Sequence, residues 1–143
     1  MSDHAVINYP KEIPAIYQML GETHGTLDKM DFDRKLSHLV LLRASQLNQC
    51  GYCVKMHTRE AREDGETNER LDHVIVWPHT DDFTDREKAA FKWTEALTHL
   101  ENNTDYSTLR AELRMHFSEQ EISILTATIV MINLWNRLHV ANH

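Results

Sequence analysis

The sequence predicts an all-α protein, and three observations support that prediction. Only 4 glycines and 3 prolines occur in 143 residues, so few positions interrupt a helix. No stretch alternates apolar and polar residues for long with the period of two that a half-buried strand requires. Capping boxes at Thr84–Glu87 and Ser118–Glu121 mark two helix starts. We therefore expect a single all-α domain, residues 1–143, with about seven helices.

The first three predicted helices lead up to and past the only two cysteines. The first extends from near Pro10 to just past Met19, where the segment GETHG interrupts its apolar pattern. The second starts after a cap at Asp31 or Asp33 and extends to Leu47. The third extends from about Cys50 to Glu63, and Gly65 is placed to end it.

Four more helices complete the prediction. A short helix covers roughly 68–76 and is stopped by Pro78. The capping boxes begin helices at Thr84 and Ser118, and a shorter helix spans roughly 107–115 between them. The last helix is apolar on nearly all sides in its middle. This pattern is typical of a helix that is central to its own fold or buried in a subunit contact.

Composition narrows the class of function. The net charge is −7 with histidines counted as neutral, which disfavours nucleic acid and anionic membranes as partners. We see no apolar run of the roughly 18 residues that a membrane span needs, and no basic, apolar secretory leader at the start. We therefore expect a cytoplasmic protein. In that compartment a CxxC pair is more often catalytic or metal-binding than a permanent structural disulfide.

The segment NQCGYCVKMH contains Cys50, Cys53 and His57. Residues three and four apart on a helix share a face, so these side chains point the same way. The spacing also permits a disulfide between the two sulfurs. The positive end of the helix dipole favours thiolate over thiol, and His57 is placed to take a proton from Cys53. This arrangement is the one that a nucleophilic sulfur needs.

Two other interpretations of the pair stay open. The cysteines could simply be buried, in a non-catalytic oligomeric protein. Alternatively, Cys50, Cys53 and His57 could hold zinc, although a structural zinc site is usually closed by a fourth ligand. With no second CxxC and no HxxxH, that ligand would be a distant histidine such as His38 or His139.

The segment LVLLRASQLNQCGYCVKMHTREAREDGETNERL (39–71) resembles the core of the carboxymuconolactone decarboxylase-like family, most closely its alkylhydroperoxidase, AhpD-like branch. FTDREKAAFKWTEALT (83–98) and INLWNR (132–137) resemble later segments of the same proteins. The resemblance covers roughly residues 35–140. It implies an all-helical fold that assembles as trimers or hexamers, and a CxxC pair that reduces hydroperoxides without a bound cofactor.

The resemblance also implies roles for the site residues. Cys53 attacks a small alkyl or other hydroperoxide and becomes a sulfenic acid, Cys50 resolves it to a disulfide, and His57 helps to deprotonate Cys53. An external dithiol then reduces the disulfide. The residues alone leave the attacking sulfur open, because the helix dipole favours Cys50 as much as Cys53, whereas His57 favours Cys53.

One position departs from the family pattern. The family relay uses a glutamate twelve residues before the first cysteine, and His38 stands at that position here. A histidine shuttles protons near neutral pH, so a relay from His38 to His57 is one prediction. Two histidines would, however, lack the negative charge that makes a neighbouring imidazole more basic. The other interpretation is that His38 is a partly buried helix residue with no role.

Several residues outside the motif carry weaker predictions. Asn133 and Asn136 should be buried and need partners, in a loop near the cysteines or a subunit contact. Tyr52 faces away from the cysteines if the helix is regular, and it is expected to shape a pocket wall or a subunit contact. His139, one turn after Trp135, is placed to line the same pocket. The segment TREAREDGETNER is expected to be a solvated face. Seven histidines without a ligand-like spacing partner are expected at the surface: His4, His24, His73, His79, His99, His116 and His143.

Overall fold

A computed structural model describes residues 2–143 of the chain, and its regular structure is entirely helical over that range. The prediction of an all-α fold is therefore confirmed, with eight α-helices where about seven were expected. They are α1 (Tyr9–Glu12), α2 (Pro14–Asp28), α3 (Arg34–Leu47), α4 (Gly51–Glu63), α5 (Asn68–His73), α6 (Asp85–His99), α7 (Tyr106–Arg114) and α8 (Glu119–Val140). A 3₁₀ helix (Val74–His79) follows α5.

The helix starts are set by local side-chain chemistry. Both predicted capping boxes form, since the Thr84 and Ser118 side chains accept from the amides of Glu87 and Glu121 and those carboxylates bond back. Of the two aspartates considered for α3, Asp33 is the cap, and its Oδ1 accepts a hydrogen bond from the Leu36 amide at 3.1 Å. Such caps satisfy amides that have no partner within the helix.

The N-terminal helix differs from its prediction. The expected interruption at GETHG is wrong, because α2 continues through that segment to Asp28. The break lies instead between Ile13 and Pro14, where proline disfavours a helical conformation of the residue before it. A Cβ added at Gly21 or Gly25 would meet nothing within 4 Å, so neither glycine marks a close approach. A glycine inside a helix costs only about 1 kcal/mol relative to alanine, too little to end the helix.

The segment after α5 also differs from its prediction. The predicted helix over 68–76 is α-helical only as far as His73 and 3₁₀ from Val74. The backbone leaves the helical conformation at Val76 (φ −121°, ψ 26°), close to the predicted end, and a further short 3₁₀ turn includes Pro78 and ends at His79. Proline's fixed φ suits this tighter helix. Burial of Val74 and Trp77 holds the segment on the core.

The core is organised around α3, which packs against α4, α6 and α8. Two buried clusters flank it: one contains Leu36, Val40, Trp93, Leu125 and Ile129, and the other contains Leu39, Leu42, Trp77, Phe83 and Phe91. Of the two interpretations of the last helix, the first is confirmed, since α8 supplies buried residues to its own fold. Within residues 2–143, no helix is both long and apolar enough to cross a membrane.

Candidate active site

The two cysteines lie where α3 ends and α4 begins. Cys50 is the N-cap of α4, and its Sγ accepts a hydrogen bond from the Cys53 amide at 3.3 Å. The two sulfurs form a disulfide, with Cα atoms 5.3 Å apart. Each cysteine is only 1% exposed. The spacing argument is thus confirmed: the pair is close enough to bond at the positive end of a helix.

A network of buried amides fixes the loop before Cys50. Asn48 Nδ2 donates to Asn133 Oδ1 at 2.9 Å and to Asn136 Oδ1 at 3.1 Å. Asn136 Nδ2 in turn donates to Ser45 Oγ at 3.0 Å. The next residue, Gln49, adopts a left-handed φ of 58°, a backbone conformation that residues other than glycine seldom hold without support from their surroundings. The prediction that the two α8 asparagines secure a loop near the cysteines is confirmed.

A cavity of about 590 Å³ opens beside the disulfide, between α2, α3, α4 and α8. Cys53 lines this cavity, whereas Cys50 does not. His139 lines it, as predicted, and Tyr52 lines it too, which is the first of the two positions expected for that residue; their rings stack at 4.8 Å between centroids. Its apolar wall includes Met30, Leu41, Met56, Met131 and Trp135. A molecule entering the cavity therefore meets one sulfur of the pair and a mainly apolar, partly aromatic surface.

His57 lies on the same face of α4 as Cys53 and is 3% exposed. Its Nδ1 is 3.4 Å from Glu60 Oε2, yet neither ring nitrogen forms a hydrogen bond within the described residues. Burial lowers the pKa of His57, and the Glu60 carboxylate opposes that effect only in part. The imidazole is thereby kept neutral near pH 7, which is the form that accepts a proton.

His38, on α3, lines the same cavity and is 6% exposed. Its Nε2 is 2.5 Å from Asp64 Oδ2, and the same oxygen accepts from Arg34 Nε at 2.7 Å. The hydrogen bond with His38, followed by that from Arg34, lowers the pKa of Asp64. The structure thus brings His38, His57 and Cys53 to one cavity. In the sequence, helix spacing relates Cys53 to His57, but no local spacing relates His38 to either of them.

Sequence reasoning missed the acidic partners of both histidines. Glu60 and Asp64 were expected on a solvated face, but they are half-buried against His57 and His38. The negative charge that the two histidines were expected to lack is therefore present. Glu60 carries a sequence signal, since it stands three residues after His57, whereas Asp64 carries none.

Two further expectations concern His24 and a possible metal site. His24 was expected at the surface, and 45% of its side chain is exposed; it also lines the cavity, where its ring stands edge-on to Trp135 at 6.5 Å. Over residues 2–143, no cluster of three or more His, Cys, Asp or Glu side chains is arranged to hold a metal ion. The zinc interpretation of Cys50, Cys53 and His57 thus has no ligand cluster to support it.

Known proteins resemble this chain over nearly its whole length. The uncharacterized protein YdfG of Bacillus subtilis (strain 168) is 29% identical over 135 residues, which are 94% of this chain and 92% of YdfG. A crystal structure from Agrobacterium tumefaciens, of a protein of unknown function proposed as the antioxidant defence protein AhpD, superposes with a TM-score of 0.90. It is 32% identical, and the match covers 96% of this chain and 94% of that one.

A more distant structure shares the fold. It is an uncharacterized peroxidase-related protein from Ralstonia eutropha JMP134, described as an alkylhydroperoxidase AhpD core, with a TM-score of 0.80 and 19% identity. The match covers 92% of this chain and 70% of that one. The model of the carboxymuconolactone decarboxylase family matches residues 14–96, a span that includes both cysteines, His38 and His57. The chain belongs to the carboxymuconolactone decarboxylase family and has the helical fold of its AhpD-like members.

Proposed function

We propose that this protein is a thiol peroxidase or thiol–disulfide oxidoreductase that works through Cys50 and Cys53 and needs no bound cofactor. One observation carries the proposal: Cys53 of the disulfide faces a cavity lined by two buried imidazoles, each with a ring nitrogen that has no partner among residues 2–143. A nearby base and a helix N-terminus both favour the reactive thiolate form of a cysteine. An adjacent thiol then captures the oxidised form.

The proposed cycle starts from the dithiol. His57 takes the Cys53 proton, with His38 further along the relay, and the Cys53 thiolate attacks the outer oxygen of a hydroperoxide. The O–O bond breaks, Cys53 becomes a sulfenic acid, and the alkoxide takes up the proton to leave as an alcohol. The Cys50 thiol then attacks the Cys53 sulfur, which forms the disulfide and releases water.

Reduction completes the proposed cycle. An external dithiol attacks the disulfide at the sulfur that it can reach, and a mixed disulfide forms and resolves to two protein thiols and an oxidised partner. Because Cys53 lines the cavity and Cys50 does not, we infer that the partner attacks Cys53. The same sulfur therefore meets both the oxidant and the reductant.

The first test counts thiols. The reduced, metal-free protein is mixed with one equivalent of an alkyl hydroperoxide, and free thiols are followed in time. The expected result is rapid loss of two thiols per chain, as the proposed chemistry requires. A loss no faster than that of free cysteine in the same buffer would contradict the peroxidase proposal.

Two serine variants assign the roles of the sulfurs. Cys50→Ser should still react with peroxide and should accumulate a sulfenic acid on Cys53, which dimedone traps. Cys53→Ser should not react. If Cys53→Ser changed only stability while the wild type was also inert, the cysteines would be packing residues in a non-catalytic protein. Stoichiometric zinc in protein purified under reducing conditions would instead favour the metal-binding alternative.

We also propose that the chain works in the cytoplasm as a homo-oligomer, a trimer or a hexamer. The support for oligomerisation is exposed apolar surface on the N-terminal segment and α2. Five such side chains are between 38% and 73% exposed: Val6, Ile7, Ile13, Ile16 and Met19. Light scattering of the purified protein gives the subunit number, and a monomer at micromolar concentration would contradict the proposal.

A further inference from the structure

The pairing of His38 with Asp64 joins the middle of α3 to the end of α4. Asp64 is the ionised partner, because its Oδ2 also accepts from Arg34. An ionised carboxylate only accepts hydrogen bonds, so His38 Nε2 must carry the hydrogen that lies between them. In the neutral imidazole, Nδ1 is then left with a lone pair and without a proton.

The second ring nitrogen of His38, Nδ1, makes no contact of this kind in the part of the chain that the structure describes. Nδ1 is buried and has no hydrogen-bond partner within residues 2–143. The His38 side chain is 8% exposed and lines the cavity that Cys53 and His57 share. Burying a nitrogen lone pair without a partner is costly. A proton acceptor held in this way is suited to receive a proton during a reaction in the cavity.

We propose that Asp64 is a positioning residue, which holds His38 in the Nε2–H tautomer so that Nδ1 receives the proton that leaves Cys53 by way of His57. The inference rests on the proposed function for its chemistry. The proton leaves the Cys53 sulfur, rests on His38, and returns to the alkoxide product. Throughout, Asp64 stays ionised and stabilises the imidazolium, as the aspartate of a Ser-His-Asp triad does.

The other charged groups around the cavity do not take this role. Glu60 is near His57 but does not hydrogen-bond to it. Arg34 is on the far side of Asp64 and holds it ionised. The remaining titratable side chains lining the cavity are His24, Asp28, Tyr52 and His139. Asp64 alone of the acidic residues near the cavity bonds to a nitrogen of His38 or His57 among the residues that the structure describes.

The test removes the charge of Asp64 and keeps its shape. In a Cys50→Ser background only Cys53 is left to react, and its rate with iodoacetamide is measured against pH. Asp64→Asn should shift the pH midpoint of Cys53 alkylation upward, because the imidazolium loses its counter-charge. The reaction of Cys53 with alkyl hydroperoxide should slow by about 10- to 100-fold at neutral pH, at or below the lower end of general-base effects, because Asp64 acts through His38.

Two variants serve as controls for the asparagine. Asp64→Glu keeps the charge and should restore most of the rate and the pH midpoint. Glu63→Gln removes one charge from the neighbouring position of α4, where the side chain is 68% exposed and reaches only Arg59, at 4.0 Å. Its rate and midpoint should match those of the Cys50→Ser parent.

A second measurement needs no substitution. Nitrogen-15 shifts of the His38 ring in the unmodified chain should report the Nε2–H tautomer, and Asp64→Asn should mix the two tautomers. A predominant Nδ1–H tautomer in the unmodified chain would overturn the inference, even if the asparagine variant failed to fold.

The two proposals fail in distinguishable ways. If hydroperoxide does not oxidise the unmodified protein but Asp64→Asn still shifts the alkylation midpoint, the peroxidase proposal fails and the role of Asp64 stands. If hydroperoxide reacts rapidly but Asp64→Asn leaves the alkylation midpoint and the His38 tautomer unchanged, the role of Asp64 is wrong and the peroxidase proposal stands.

Discussion

The wall of the cavity that carries Cys53 and the wall formed by α2 are held in very different ways. The first is built from α3, α4 and α8, which supply most of the buried residues and the asparagine network behind Cys50. In contrast, α2 contributes no buried residue, and its Ile16 and Met19 are 53% and 67% exposed. One wall is therefore part of the core, and the other is laid against it.

The difference separates two requirements of such a site. A sulfur and its bases must be held within a fraction of an ångström of a productive geometry, which a buried, hydrogen-bonded wall provides. A wall that only contacts the body of a ligand has no such requirement, and a weakly packed helix is less costly to move. Four measurements test whether the two walls differ in this way, and they follow in order of decreasing effect.

Asn136→Ala should destabilise the cavity wall that is built from α3, α4 and α8, called the fixed wall below. Asn136 is fully buried and bonds to both Asn48 and Ser45, so its removal leaves a void and takes one hydrogen bond from each, with Asn48 Nδ2 still bonded to Asn133 and Ser45 Oγ to the Leu41 carbonyl. We expect a loss of about 2–4 kcal/mol in the free energy of unfolding, measured by urea denaturation. Asn103→Ala, at an exposed turn, is the control and should change the free energy by less than about 0.5 kcal/mol.

The second measurement is the pH dependence of the free energy of unfolding. The pKa of His57 is lowered by burial in the folded state, so the unfolded chain binds more protons between that pKa and about 6.5. The free energy of unfolding should therefore fall as pH is lowered through about 6.5. His57→Gln should flatten the decline, whereas His99→Gln, at the exposed end of α6, should not. An unchanged slope in His57→Gln would show that the ring is not held neutral by the fold.

Gln49→Gly should relieve the strained position of the fixed wall. A glutamine at φ 58° carries a strain that glycine avoids, although glycine loses more backbone entropy on folding. The balance predicts a gain of up to about 1 kcal/mol in the free energy of unfolding. The same type of change within a helix should act in the opposite direction: Ala111→Gly, in α7 and exposed, should lose up to about 1 kcal/mol.

Ile16→Ala should have the smallest effect, because it alters the loosely packed wall. Its side chain is already half exposed, so the free energy of unfolding should change by less than about 0.5 kcal/mol. The measurement is made at two protein concentrations well apart. A loss that depends on concentration would contradict this prediction and show that another copy of the chain covers α2.

How well a feature can be predicted from the sequence depends on how far apart along the chain the interacting residues lie. Capping at Thr84 and Ser118 depends on residues three positions apart, and the prediction of both helix starts is confirmed. The break before Pro14 has a local signal too, but the glycines of GETHG present a competing one. Helical glycine is unfavourable without being prohibitive, so composition alone does not decide between the two positions.

The candidate site also has one part that local spacing predicts and one part that it does not predict. Cys50, Cys53 and His57 lie within one turn-and-helix segment, and their proximity follows from its spacing. The contact of His38 with Asp64 spans 26 positions, and no local pattern predicts which acidic residue near the end of α4 turns towards α3. The resemblance to known proteins points to His38, but its partner becomes visible only once α3 and α4 are packed together.

The cap on α4 links the redox state of the pair to the stability of a helix. The Cys50 sulfur accepts a hydrogen bond from the Cys53 amide, and any negative charge that reduction places on that sulfur would make it a stronger acceptor than a disulfide sulfur. To that extent, reduction would strengthen the first turn of α4. By thermodynamic linkage, whatever stabilises that turn more in the reduced state makes the disulfide a stronger oxidant. If the pair cycles as proposed, the helix would therefore bias its reduction potential towards the dithiol.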